Sequence, residues 1–99
     1  MGARKVKTIK VFPDYWSTGL WDESGAETSL EKLNINDPCA NLFLKGINKV
    51  FEYIEPDDKD SEGISQWRNT INSLTKDIAG YLNARYGDRY TFVAIFIGE

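Results

Sequence analysis

Two amphipathic stripes lie back to back in the second half of the chain, and they limit its architecture more than any other feature. Phe43, Ile47, Val50, Phe51 and Ile54 recur at three- and four-residue spacing, with Leu42 and Leu44 widening the start. Lys45, Asn48, Lys49 and Glu52 fall on the other side. Asn36 or Asp37 can cap this helix, Pro38 suits its first turn, and Glu55-Pro56 ends it, because the residue before proline avoids helical torsions. A polar connection leads to a second stripe, Ile64, Trp67, Ile71, Leu74, Ile78, Tyr81 and Leu82, in a helix over about 64–86. Gly87 follows as a left-handed stop, and Gly80 leaves room for close approach of a sheet. Each helix has one apolar side to bury, so both need a shared partner layer.

Strand-like runs at the two ends supply that layer. Lys5 to Phe12 places Ile9 and Val11 on one face, and its lysines suit an edge or a wet face. Pro13-Asp14 breaks the run, and Gly19-Leu20-Trp21-Asp22 returns as a short strand closed by Ser24-Gly25, with Trp21 read as core. Thr28 to Ile35 reads as a covering loop with room for one helical turn. Tyr90 to Ile97 is the strongest strand and is apolar on both faces. Either the aromatic loop or another chain must cover its second face. The expected fold is therefore α+β with two layers in the order ββααβ: a three-stranded sheet in strand order 2-1-3, covered on one face by two antiparallel helices. One domain over 5–97 is expected, with 1–4 as a disordered or expression-derived tail.

Composition narrows the function. The chain has 99 residues and a net charge of −3. Residues 1–10 hold Arg4, Lys5, Lys7 and Lys10 and no acid, so the remainder carries −7. An acidic body lacks the cationic footprint that nucleic acid requires, but it suits a basic protein partner. There is no histidine, which removes imidazole-dependent triads and most zinc sites. No glycine-rich phosphate loop is present. Cys39 is the single cysteine, so no intrachain disulfide forms, and a thiol in the first turn of a helix has no cation beside it to activate it. No apolar run is long enough to span a bilayer, which makes the cytoplasm the expected location. The expectation is no catalysis, no cofactor, no metal, no nucleic acid and no membrane.

Two segments are candidates for contact with a partner. Asp58-Lys59-Asp60-Ser61-Glu62-Gly63 resembles the first half of a calcium loop, but Asn69 stands where the bidentate glutamate should be. Asp57, Asp58, Asp60 and Glu62 remain a dense acidic patch, either solvated or matched to a basic partner. Asp14, Tyr15 and Trp16 form an aromatic corner. Neighbours in extended chain point opposite ways, so one of the two rings is expected outside, as a contact or as local packing.

The corner also carries a likeness. At Pro13-Asp14-Tyr15, Ser17, Gly19-Leu20-Trp21-Asp22 and Gly25, the chain resembles small bacterial proteins of polymorphic-toxin and related gene neighbourhoods. Those proteins begin with such a hairpin and continue through a leucine-bearing loop and an aromatic-rich helix. They end with a Gly-acid-x-Tyr step into a last strand, here Gly87-Asp88-Arg89-Tyr90. The resemblance implies an immunity-type inhibitor that covers a cognate toxin, and it carries over no catalytic residue. The basic N-terminus and the very apolar last strand depart from the pattern, and the strand suggests a homodimer as the alternative.

Overall fold

The computed structural model describes residues 6–98; the tail expected at 1–4 and the boundary at residue 5 lie outside them. Strand β1 (Lys7–Val11) is followed by β2 (Leu20–Trp21) and β3 (Glu27–Thr28), then helices α1 (Pro38–Tyr53) and α2 (Ser61–Tyr86), then strand β4 (Tyr90–Ala94). The sheet has four strands in the order β3-β2-β1-β4, which corrects the expected three-stranded 2-1-3 arrangement. The added strand is Glu27–Thr28. It pairs antiparallel with β2 because Asp22 ties a tight turn, accepting from the Ser24 and Ala26 N–H groups and from the Ser24 hydroxyl. β1 runs antiparallel to β2 and parallel to β4.

Register explains the two faces. Thr28, Leu20, Val11 and Ala94 stand opposite one another across the sheet, with Ile9 and Phe92 one pleat along. On this row and the next, Leu20, Val11, Ile9 and Phe92 are all buried, and they meet Leu44 and Ile47 of α1 and Ile71, Ile78 and Leu82 of α2 in one core. Leu30, Leu33 and Ile35 close it from the loop before α1, where a turn is held by the Ile35 and Leu33 N–H groups bonding back to Leu30. The next residues along each strand, Glu27, Trp21, Lys10 and Val93, share the outer face. Trp21 is therefore not core: it lies half-buried on that face and donates its indole N–H to the Phe12 carbonyl. Lys10 sits on an inner strand because this outer face is wet, whereas Lys7 shares the parity of Ile9 and Val11 and is exposed at the start of β1.

The first helix is turned relative to its apparent stripe. Ala40, Leu44, Ile47 and Asn48 face inward, whereas Phe43 and Ile54 are exposed. Asp37 is the N-cap, accepting from the Ala40 N–H at 3.1 Å, with Pro38 in the first turn. Gly87 is right-handed at φ −65°, not the left-handed stop expected. Gly80 faces open space, so it admits no close approach of the sheet. β4 ends at Ala94, three residues before the expected end, and Phe96 is exposed.

Candidate functional site

The connection from Phe12 to Gly19 folds into a corner whose shape is set by its own polar groups. Asp14 accepts the Tyr15 N–H at 2.8 Å, and the Ser17 hydroxyl donates to the Asp14 carbonyl at 2.9 Å while accepting the Gly19 N–H at 3.2 Å. The Phe12 N–H closes the base on the Gly19 carbonyl at 2.9 Å. Trp16 takes a left-handed φ of 57°, a conformation that needs support in a bulky residue.

Helix α1 supplies that support from one face. Asn48 donates to the Ser17 carbonyl at 2.9 Å, Glu52 accepts the Trp16 N–H at 2.7 Å, and Glu55, just past the helix end, accepts the Tyr15 hydroxyl at 2.8 Å. These three follow i, i+4, i+7 spacing, so one side of the helix end docks the whole corner. Below it, Tyr15 packs on Phe51 at 4.9 Å between ring centroids, and Phe51 stacks on Trp67 at 5.6 Å. Trp67 donates to the Val50 carbonyl at 3.0 Å, tying α2 to α1 under the corner.

The outcome is an exposed indole on a fixed base: Trp16 is 87% exposed, and Tyr15 is 51% exposed with its hydroxyl engaged. The Tyr15 hydroxyl is pushed up by its bond to Glu55, then by desolvation and the neighbouring acids. Beside the corner, Ser17, Thr18, Leu20, Leu44, Lys45 and Asn48 line a pocket of about 150 Å³, and the buried Asn48 Oδ1 has no hydrogen-bond partner. Sequence spacing puts Asn48 and Glu52 on the solvated side of α1, whereas the fold turns both onto the corner. The signal that could have found them is the polar i, i+4, i+7 run ending at Glu55, too polar for a core yet regular.

The acidic connection starts two residues after Glu55, so the corner and the acids share one end of the molecule. Asp57 and Asp58 are exposed, and Asp57 is held below the usual aspartate range, chiefly by the Lys59 N–H it accepts at 2.8 Å. Asp60 is the N-cap of α2, accepting the Gly63 N–H at 2.9 Å, and Glu62 lies in the first turn. A Cβ at position 63 would press on the Asp60 carboxylate, so a larger residue there makes the capping side chain shift. Asp57 and Asp60 thus turn onto separate backbone groups instead of converging, and the half calcium loop has no common centre; among the described residues no group of three or more ligating side chains gathers.

A second acidic centre lies at the other end of α1. Asp37 is 7% exposed, and its Oδ2 receives the Tyr81 and Tyr86 hydroxyls, each at 2.8 Å, with the Arg85 Nε at 4.0 Å. Burial pushes the carboxyl up, but the Ala40 N–H, the two hydroxyls and Arg85 outweigh it and hold Asp37 below the usual range. A carboxylate so fully bonded is a poor base. Next to it, exposed Cys39 borders a shallow apolar groove with Phe43, Ile78 and Tyr81.

The chain is thus a small α+β domain, two antiparallel helices packed on a mixed sheet, with an exposed aromatic corner. No protein-family model, curated protein or solved structure matches it. Among the described residues no helix is long and apolar enough to cross a membrane.

Proposed function

We propose that this chain is a non-catalytic protein-binding module, an immunity-type inhibitor that works in the cytoplasm by covering a basic domain of a cognate bacterial toxin. The observation that carries this reading is Trp16: an indole left almost wholly in water, on a loop whose backbone is fastened by Asn48 and Glu52. Leaving a large aromatic ring in solvent has no folding benefit, whereas tryptophan on a rigid base is a strong interface anchor, because little entropy is lost when it docks. Asp14, Glu52 and Glu55 lie at the corner, and Asp57, Asp58, Asp60 and Glu62 follow in the connection after Glu55, which gives this end of the molecule a negative field. Such a field speeds encounter with a basic surface and selects against acidic ones. The resemblance of the corner to small proteins of toxin gene neighbourhoods supplies the identity of the partner class.

The reading requires a toxin gene beside this one, and the test is association with the domain that gene encodes. Replacing Asp57, Asp58 and Asp60 together by asparagine keeps the N-cap of α2 but removes three charges. Association at low salt should slow about tenfold or more, and the difference should shrink as salt is added. An unchanged rate removes the acidic connection from the contact.

A structural or regulatory homodimer through the last strand is the second reading. It is favoured by Val93, Ile95 and Phe96, which are 37–39% exposed at the edge of the sheet. Sedimentation equilibrium separates the two: a monomer at micromolar concentrations removes the dimer.

A further inference from the structure

β4 is the outermost strand on its side of the sheet among the described residues, so its far side should present a row of unpaired backbone groups to any extended chain. The register shows which groups these are. In a parallel ladder one residue bonds to the two flanking its opposite, and the Ile95 N–H donates to the Val11 carbonyl at 2.9 Å, with Val11 opposite Ala94. Thr91, Val93 and Ile95 therefore turn toward β1, while Tyr90, Phe92 and Ala94 turn outward.

The outward groups of Phe92 are already taken. Asn83 of α2 accepts the Phe92 N–H at 2.7 Å and donates to the Phe92 carbonyl at 2.7 Å. Its amide makes the same pair of bonds that a residue of a neighbouring strand would make. Asn72 repeats the arrangement just beyond the strand, accepting the Ile97 N–H at 2.8 Å and donating to the Ile97 carbonyl at 3.1 Å. The spacing fits both elements: eleven helical residues from 72 to 83 span about 16 Å, and five extended residues from 92 to 97 span about the same. Past the second clamp, Gly98 lies against Arg68 so closely that a Cβ there would approach the Arg68 Cδ to 2.6 Å. Gly98 has a φ of 79°, which suits glycine. Ile97 and Gly98 thus lie against α2.

We propose that Asn72 and Asn83 form an autoinhibitory clamp: α2 occupies the edge of β4 with the Asn83 amide and the segment just beyond it with the Asn72 amide, and so holds this edge shut against strand addition by a second copy of this chain. The exposed apolar residues Val93 and Ile95 make the closure necessary, since an open edge beside them is a template for pairing. Any self-association of the native protein through this strand must then use its outer face rather than its edge.

Amide exchange in the native protein gives the first test, because Phe92 and Ala94 face the same edge and only Phe92 is clamped. The Phe92 amide should exchange about tenfold or more slowly than that of Ala94; equal rates would overturn the clamp whatever any variant does. The second test is sedimentation equilibrium of the Asn72→Ala/Asn83→Ala protein. It should self-associate at concentrations where the native chain does not, and adding Ala94→Pro, which removes an outward N–H at an edge position, should reverse this. A folded double variant that behaves like the native chain contradicts the proposal, and so does association that Ala94→Pro leaves intact. Should the double variant fail to fold, the native exchange comparison decides.

Discussion

Each end of α1 holds a carboxylate that accepts a tyrosine hydroxyl at 2.8 Å, and the two pairs serve opposite purposes. At the N-terminal end, Asp37 is buried and takes donors from its own helix and from Tyr81 and Tyr86 of α2. At the C-terminal end, Glu55 and Tyr15 meet in solvent above Phe51. The same bond is worth more in the first place, where losing it strands polar groups away from water, than in the second, where water replaces it. Asp37 therefore locks the two helices together, while Glu52 and Glu55 hold a surface loop in one shape. One end carries stability and the other carries presentation.

Mutation at Asp37 should give the largest effect. Asp37→Ala removes the N-cap and leaves two tyrosine hydroxyls without their acceptor, and should lower unfolding free energy by about 2–3 kcal/mol in a denaturant titration. A loss as small as that of an ordinary surface change would mean that the helices are joined by apolar packing alone.

A smaller effect follows from charge. Asp37 sits below the ordinary aspartate value of about 4 in the folded chain, so it adds stability above that pH. The contribution is lost as pH falls through the lowered folded value. Asp37→Asn keeps a cap and an acceptor but cannot titrate, so its stability should decline less on acidification than that of the native chain. Asp22 and Asp57 are also lowered, but both proteins retain them, so the difference between the two titrations isolates Asp37. Parallel acid curves would show that the Asp37 carboxylate is not stabilised by folding.

At the corner the expected change in stability is the smallest, and a different property moves. Glu52→Ala removes the acceptor for the Trp16 N–H. The melting temperature should barely shift, while the Trp16 amide should lose its protection from exchange and the indole resonances should broaden or shift. A clear drop in melting temperature instead would place the corner in the stabilising frame and erase the contrast with Asp37.

Sequence periodicity located both helices because their cores repeat at helical spacing and their ends are marked by Asp37-Pro38 and Glu55-Pro56. The rotation of α1 was not legible. Phe43 and Ile54 are as apolar as Ile47, yet they are exposed, and Asn48 is buried because the distant Ser17 carbonyl needs its amide. Such a pairing across 31 residues leaves no periodic mark. β3 was missed for a related reason: Glu27–Thr28 is two residues long and has no alternation of its own, so only the turn at Asp22 makes it a strand. Trp21 was misplaced because hydrophobicity does not say which face of a strand a residue takes; the register with Lys10 does. At the site, the aromatic corner and the acidic connection were visible as compositions. Their meeting at one end was not, because it rests on Glu52 and Glu55, which read as ordinary solvated acids. Both rings proved exposed where one was expected, since the left-handed turn at Trp16 breaks the alternation of extended chain.

The proposed function requires Trp16 to be a contact that folding does not need. If a toxin domain is encoded beside this gene, as the proposed function requires, its affinity for the native chain and for Trp16→Ala, measured by titration calorimetry with both proteins equally folded, tests this most directly. A fall of about 30-fold or more, the loss of at least ~2 kcal/mol expected of a central aromatic anchor, is predicted. Equal affinities would contradict it.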